Sequence, residues 1–133
     1  MRSDRIQAAQ RAARAMVVSV GAAAVVLRMP APPVAGDAGE ELGLRAPEFQ
    51  RLTLGPVAIR QTTSTVEVLV PADALEALLG LESSGTVETA MRAVATVELG
   101  DEAYMLTATE AVLTLGRASL YRLVLQLPPT EVV

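Results

Sequence analysis

Carboxylates are the side chains of this sequence with the best claim to chemistry. Glu40 and Glu41 stand next to each other with Asp37 just before them, and Glu98 precedes Asp101 and Glu102 by three and four positions. A carboxylate pair can relay protons or hold a hard cation. The first group lacks the alternating oxygen-ligand spacing of a calcium loop, and the second flanks a predicted hairpin turn, where solvated acids are the ordinary finding. Thr62, Thr63, Ser64 and Thr65 form a hydroxyl run with no base partner to activate it. The Gly36 to Gly39 stretch lacks the terminal Lys-Ser/Thr of a phosphate loop and does not lie between a strand and a helix. The chain has no His, Cys, Trp, Lys or Asn. That removes the usual zinc sites, Cys–His and Ser–His catalysis, and disulfide staples. The reading is a chain with no catalytic residue, no metal ligand and no cofactor, hence not an enzyme; catalysis by carboxylates alone is a distant alternative.

At 133 residues the chain makes one domain with room for an arm. Half of it is hydrophobic (51%) and the mean hydropathy is +0.39, so a buried core is available. A net charge of −4 argues against a nucleic-acid binder, which needs a basic face and stacking aromatics. The aromatics here are Phe49, Tyr104 and Tyr121 only.

Five segments follow from the pattern. Residues 1–21 read as an N-terminal amphipathic helix, with Ile6, Ala9, Ala13, Met16, Val17 and Val20 on one face, Ser3 as N-cap and Gly21 as stop. Arg2, Arg5, Arg11 and Arg14 against Asp4 make this segment basic, unlike the rest. Residues 22–28 read as a strand, and 29–47 as a Pro/Gly-rich loop long enough to suggest function or ordering by a partner. Residues 48–127 form a β-rich body, and 128–133 a C-terminal tail.

Within the body, strands are predicted over Phe49 to Leu54, Val57 to Gln61, Thr65 to Val70, Val94 to Leu99, Ala103 to Thr109, Val112 to Leu115 and Ser119 to Leu127. Asp73 and Glu76 have capping-box spacing for a short helix ending at Gly80, and a second short helix covers Val87 to Arg92. Turns fall at Gly100-Asp101 and Gly116-Arg117. The fold class is therefore α+β: an N-terminal helix, then a mainly antiparallel small β-barrel or sandwich with one or two inserted short helices. The apolar run from Ala15 to Leu27, preceded by arginines, also matches a secretory signal. An exported or membrane-associated β-domain is therefore the competing class, although the run is too short to span a bilayer.

One family resemblance covers most of the chain as an order of elements. A helix ending at Gly21, the strand through Val25, Val26, Leu27 and Arg28, a Pro/Gly loop and a β-rich body resemble the head-closure and head–tail connector proteins of tailed phages. The ending is similar too: the Gly100-Asp101 turn precedes a strand carrying Tyr104, and the last strand places Tyr121, Leu123 and Leu125 at alternate positions. The resemblance implies a structural virion protein of the neck, assembled in the host cytoplasm. It would be a homo-oligomeric ring that joins the portal or its adaptor to tail proteins, and would pass DNA without sequence-specific binding or membrane contact. Tail terminator is the neighbouring alternative. On this reading Arg5, Arg11 and Arg14 meet acidic surface on a neighbour, while Pro32, Pro33, Glu40 and Glu41 of the loop, and Pro129 and Val133 of the tail, are ordered by partners.

Overall fold

The computed structural model describes residues 2–19, 23–30, 49–62, 65–81 and 83–127. The chain begins with helix α1 (Arg2–Ser19), followed by strands β1 (Ala23–Pro30), β2 (Phe49–Gln61) and β3 (Val66–Pro71). Helices α2 (Ala72–Leu79) and α3 (Ser84–Met91) come next, then β4 (Thr96–Leu99), β5 (Glu102–Thr114) and β6 (Arg117–Gln126). The strands close into one antiparallel barrel in the order β1-β2-β3-β6-β5-β4. Of the two architectures open from the pattern, the structure adopts the barrel.

Closure depends on two strands that serve both halves. The first part of β2 pairs with β1 and its end pairs with β3. Likewise, Glu102 to Tyr104 of β5 pair with β4, and the rest of that strand pairs with β6. Each is 13 residues long, where the sequence reading has two short strands. Gly55-Pro56 looks like a turn, yet it is a bulge inside β2: Leu54 pairs with Val25 and Val57 with Ala23, so two residues stand opposite Ala24. A bulge frees Pro56 from donating to the ladder, which is why a strand tolerates it there.

Two further bulges carry hydroxyls. Thr107 interrupts the β5–β6 register and its Oγ1 donates to the Val124 carbonyl at 3.0 Å. Near the tip, Ser119 is the extra residue on β6, and its Oγ donates to the Val112 carbonyl at 3.2 Å. At each irregularity a short polar side chain supplies a hydrogen bond of its own across the strand pair.

The core follows strand alternation. Val25, Leu27 and Met29 of β1 point inward with Val66, Val68 and Val70 of β3 and with Tyr121, Leu123 and Leu125 of β6. Helices α2 and α3 add Ala72, Leu75, Val87 and Met91 to the same cluster. Helix α2 starts directly from β3: Pro71 occupies its N-cap with no side-chain cap bond. The expected capping box is therefore not formed. Asp73 lies in the first turn, where a negative charge suits the helix dipole, and Glu76 turns inward. The helix ends as expected at Gly80, whose φ of 68° is the left-handed conformation that glycine adopts without a Cβ penalty.

Other boundaries shift modestly. Strand β1 runs two residues past Arg28, α3 starts at Ser84 rather than Val87, and Ser3 lies inside α1 rather than capping it. The second hairpin loop is Leu115-Gly116 rather than Gly116-Arg117. Both its residues have positive φ, 52° at Leu115 and 79° at Gly116. That is the pattern of a type I′ turn, whose first position ordinarily takes Asn, Asp or Gly.

Candidate interaction surfaces

Helix α1 is rich in alanine, with arginine and glutamine between, and has no internal Gly or Pro, so its helical state agrees with local propensity. It lies outside the barrel across β2, β3 and β6. A small cluster fastens it: Val17 is buried with Ala58 of β2 and Leu120 of β6, and Ala13 and Leu69 pack at the edge. Gln10 donates through Nε2 to the Ala118 carbonyl at 3.2 Å, and Arg14 Nη2 lies 3.0 Å from Asp73 Oδ1 at the start of α2. All these anchors fall from Gln10 onward.

The three arginines expected to meet a partner are thus placed differently from one another. Arg5 and Arg11 are exposed, and Arg14 is engaged with Asp73. At ~100° per residue, Arg11 and Arg14 are ~60° apart and Arg5 is ~180° from Arg14, so the three spread over about half the helix circumference rather than forming one narrow stripe. Arg2, Arg5, Arg11 and Arg14 against Asp4 give α1 a charge of +3, leaving −7 on the remainder of a chain whose net charge is −4. Pro32, Pro33, Glu40, Glu41, Pro129 and Val133 lie outside the described residues.

Two acids of the second carboxylate group, Glu98 and Glu102, are engaged separately, and Asp101 is exposed in the turn. Glu98 pairs with Arg51 across the β1–β2–β4 surface, and Glu102 accepts a hydrogen bond from the Tyr104 hydroxyl at 2.8 Å. That bond to a carboxylate, with burial and the negative charge adding to it, raises the Tyr104 pKa. Among the described residues, no group of three or more His, Cys, Asp or Glu side chains could hold a metal ion.

Two charged arrangements escape sequence reasoning. On the outer face, Arg60, Glu67, Arg122 and Glu110 form a ladder across β2, β3, β6 and β5: Arg60 Nε donates to Glu67 at 2.9 Å, Arg122 reaches Glu67 at 3.6 Å, and Arg122 pairs with Glu110. Opposite charges on neighbouring strands give each pair a modest gain. The strand pattern shows which face these residues occupy, but the register that lines them up is tertiary.

The second arrangement is internal. The Tyr121 hydroxyl donates to Glu76 Oε1 at 3.4 Å, with the tyrosine wholly buried in the core. Burial pushes the Tyr121 pKa up to about 12, and the charge of Glu76 and the bond to it act in the same direction. Because the folded value lies above the unfolded one, near 10, the fold is favoured below pH 10 and that contribution is lost as pH rises through about 12. Alkaline titration of the 295 nm tyrosinate band against circular dichroism is expected to show unfolding set in above pH 10, with Tyr121→Phe flattening the dependence. A wild-type fold equally stable at pH 9 and pH 12 would contradict it.

Exposed apolar side chains are concentrated at the β5–β6 tip, where Val112, Leu113 and Leu115 all face solvent. The signal available in sequence was an apolar residue immediately before a hairpin glycine, in a position that normally takes Asn or Asp. Among the described residues, no helix is long and apolar enough to cross a membrane. Set against known proteins, the chain matches no family model, no curated protein and no solved structure.

Proposed function

We propose that this protein is a ring-forming structural subunit of the neck of a tailed-phage virion, in the head-closure or head–tail connector position. It links the portal or adaptor to the tail and lines part of the DNA conduit. The observation that carries this reading is the two-part build of the subunit. A closed barrel with an apolar core bears a helix of charge opposite to the body's, packed on it through Gln10, Ala13, Arg14 and Val17. The exposed Arg5 and Arg11 engage the acidic body of a neighbour. Subunits that meet in this way, unlike surface to unlike surface, close into rings when the rotation allows. A net negative body also avoids the counterion-release gain that makes basic channels retain DNA.

The competing exported-domain reading fits the architecture less well. The apolar run that resembles a targeting segment is divided between α1, where Val17 packs on the barrel, and β1, where Val25 and Leu27 are core residues. Cleavage after it would remove a strand that pairs with both β2 and β4 and so open the barrel.

Native mass spectrometry and electron microscopy of the purified chain, alone and mixed with particles from its source, test the proposal. Rings, or added density between capsid and tail, are expected. The doubly reversed Arg5→Glu, Arg11→Glu chain should assemble less well, and the deficit should be larger at 50 mM salt than at 500 mM, because screening shortens the reach of exposed charges to ~3–5 Å at the higher value. A chain that stays monomeric and never joins particles overturns the reading.

A further inference from the structure

We propose that the cleft between α3 and β5 binds a free α-amino acid with an aliphatic side chain, taken up as the zwitterion. A cavity of about 260 Å³ lies there, lined by Glu88, Met91 and Arg92 from the end of the helix and by Leu106, Thr107 and Thr109 from the strand. Its origin is the way the barrel closes. Strand β4 pairs with β5 only as far as Tyr104, so from Leu106 on that edge of β5 meets α3 instead of another strand. Paired strands lie ~5 Å apart, whereas side chains hold a helix axis roughly 10 Å from what it packs on, and the difference leaves a gap.

The charges in the gap set the ligand. Arg92 is the C-cap of α3 and keeps helical φ and ψ of −64° and −21°, so it stands one turn beyond Glu88 on the same face. Glu88 is half-buried and Arg92 exposed at the mouth. An acid four residues before a base is the order in which such side chains ordinarily pair on a helix. These two both line the cavity, yet neither forms an ion pair with the other or with any further described residue. A ligand carrying a carboxylate alone would be repelled by Glu88, and an amine alone by Arg92. A zwitterion satisfies both: its carboxylate takes the forked guanidinium of Arg92 and its ammonium takes Glu88.

The remaining wall fits the remainder of the molecule. Thr109 stands opposite Leu123 in the β5–β6 register, so it lies on the inner face of β5, the side that Leu106 and Ala111 fill with apolar groups. Its hydroxyl has no hydrogen-bond partner among the described residues and is available to the ligand carboxylate. Thr107, by contrast, is committed to the Val124 carbonyl and serves as wall. Met91 is buried and Leu106 half-buried, which gives an apolar floor for a side chain. At ~30 Å³ per non-hydrogen atom the cavity holds about eight or nine atoms, the size of valine, leucine or methionine, and is too small for tryptophan.

Calorimetric titration of the full chain with leucine is expected to show one site with a dissociation constant of about 1 mM or tighter. Isocaproate, which is leucine without the ammonium, and isoamylamine, which is leucine without the carboxylate, should each bind at least about tenfold more weakly. Arg92→Gln alters an exposed side chain, so the thermal midpoint should stay within about 2 °C of the parent's. That variant should lose about tenfold in leucine affinity while binding isoamylamine no worse than the parent, whereas a change that merely damaged the cleft would weaken both. Glu88→Gln should show the converse, weaker for leucine and no worse for isocaproate. Absence of saturable binding up to about 10 mM leucine overturns the site, as does equal affinity for leucine and its two singly charged analogues. So does an Arg92→Gln chain that takes leucine as the parent does. The cleft shares no residue with α1, so each of these results leaves the ring reading standing.

Discussion

A chain with Val17→Asp is expected to keep its barrel and lose its first helix. Among the described residues of α1, Val17 is the buried one, and its partners, Ala58 and Leu120, form a cluster separate from the main core. An aspartate there would leave a charge without a partner between two apolar strands, a cost that ends the packing. The Gln10 bond to the Ala118 carbonyl stays, as does the half-exposed Arg14–Asp73 pair, worth ~0–1 kcal/mol as surface pairs go. A detached helix loses the tertiary packing from which most helical stability in proteins comes, and its 18 residues fray from both ends.

The expected signal is large, because α1 holds 18 helical residues against 8 in each of α2 and α3. Circular dichroism at 222 nm should fall by roughly half. Tyrosine fluorescence should still report a cooperative thermal transition of the barrel, since no described side chain of α1 belongs to the main core cluster. Simultaneous loss of both signals would show that the helix is part of the cooperative unit and that the two-part description is wrong. Under the ring proposal the same chain also fails to assemble while its barrel remains folded, so the variant separates folding from function.

How far the architecture could be read in advance depends on which forces set each element. Helix α1, the β3 and β6 strands and the Gly80 stop are local: alanine content, period-two alternation and a left-handed glycine are written in neighbouring residues. The continuity of β2 and β5 is not local. Gly55-Pro56 carries the composition of a turn, and only its position opposite Ala24, where the ladder passes from β1 toward β3, makes it a bulge. For the same reason Asp73 and Glu76, spaced as a capping box, are drawn apart by tertiary partners, Arg14 for one and Tyr121 for the other. Leu115 illustrates the same limit at a turn. Its neighbours predict a turn, but its conformation and its exposure exist only once the hairpin is built.

The sharpest demand on the barrel is a comparison between two leucines of one hairpin. Leu123 is 0% exposed, pairs with Val68 on β3 and faces the centre of the core, whereas Leu113 is 54% exposed near the tip. Strand β6 is hydrogen-bonded on both sides, to β3 and to β5, so the backbone around Leu123 cannot collapse inward to refill lost volume. Leu123→Ala therefore carries both the transfer loss and the cavity, ~3–5 kcal/mol, while Leu113→Ala changes stability by less than ~0.5 kcal/mol. For a chain of this length the first should lower the thermal midpoint by roughly 10–20 °C and the second by no more than about 2 °C. Urea titrations of the two variants beside the parent chain measure both. Equal costs at the two positions would mean that β6 does not present Tyr121, Leu123 and Leu125 to a common interior. The closed barrel, and with it the placement of the tip outside that interior, would then have to be abandoned. A large cost at Leu123 with near silence at Leu113 places the first inside the closed barrel and the second outside it.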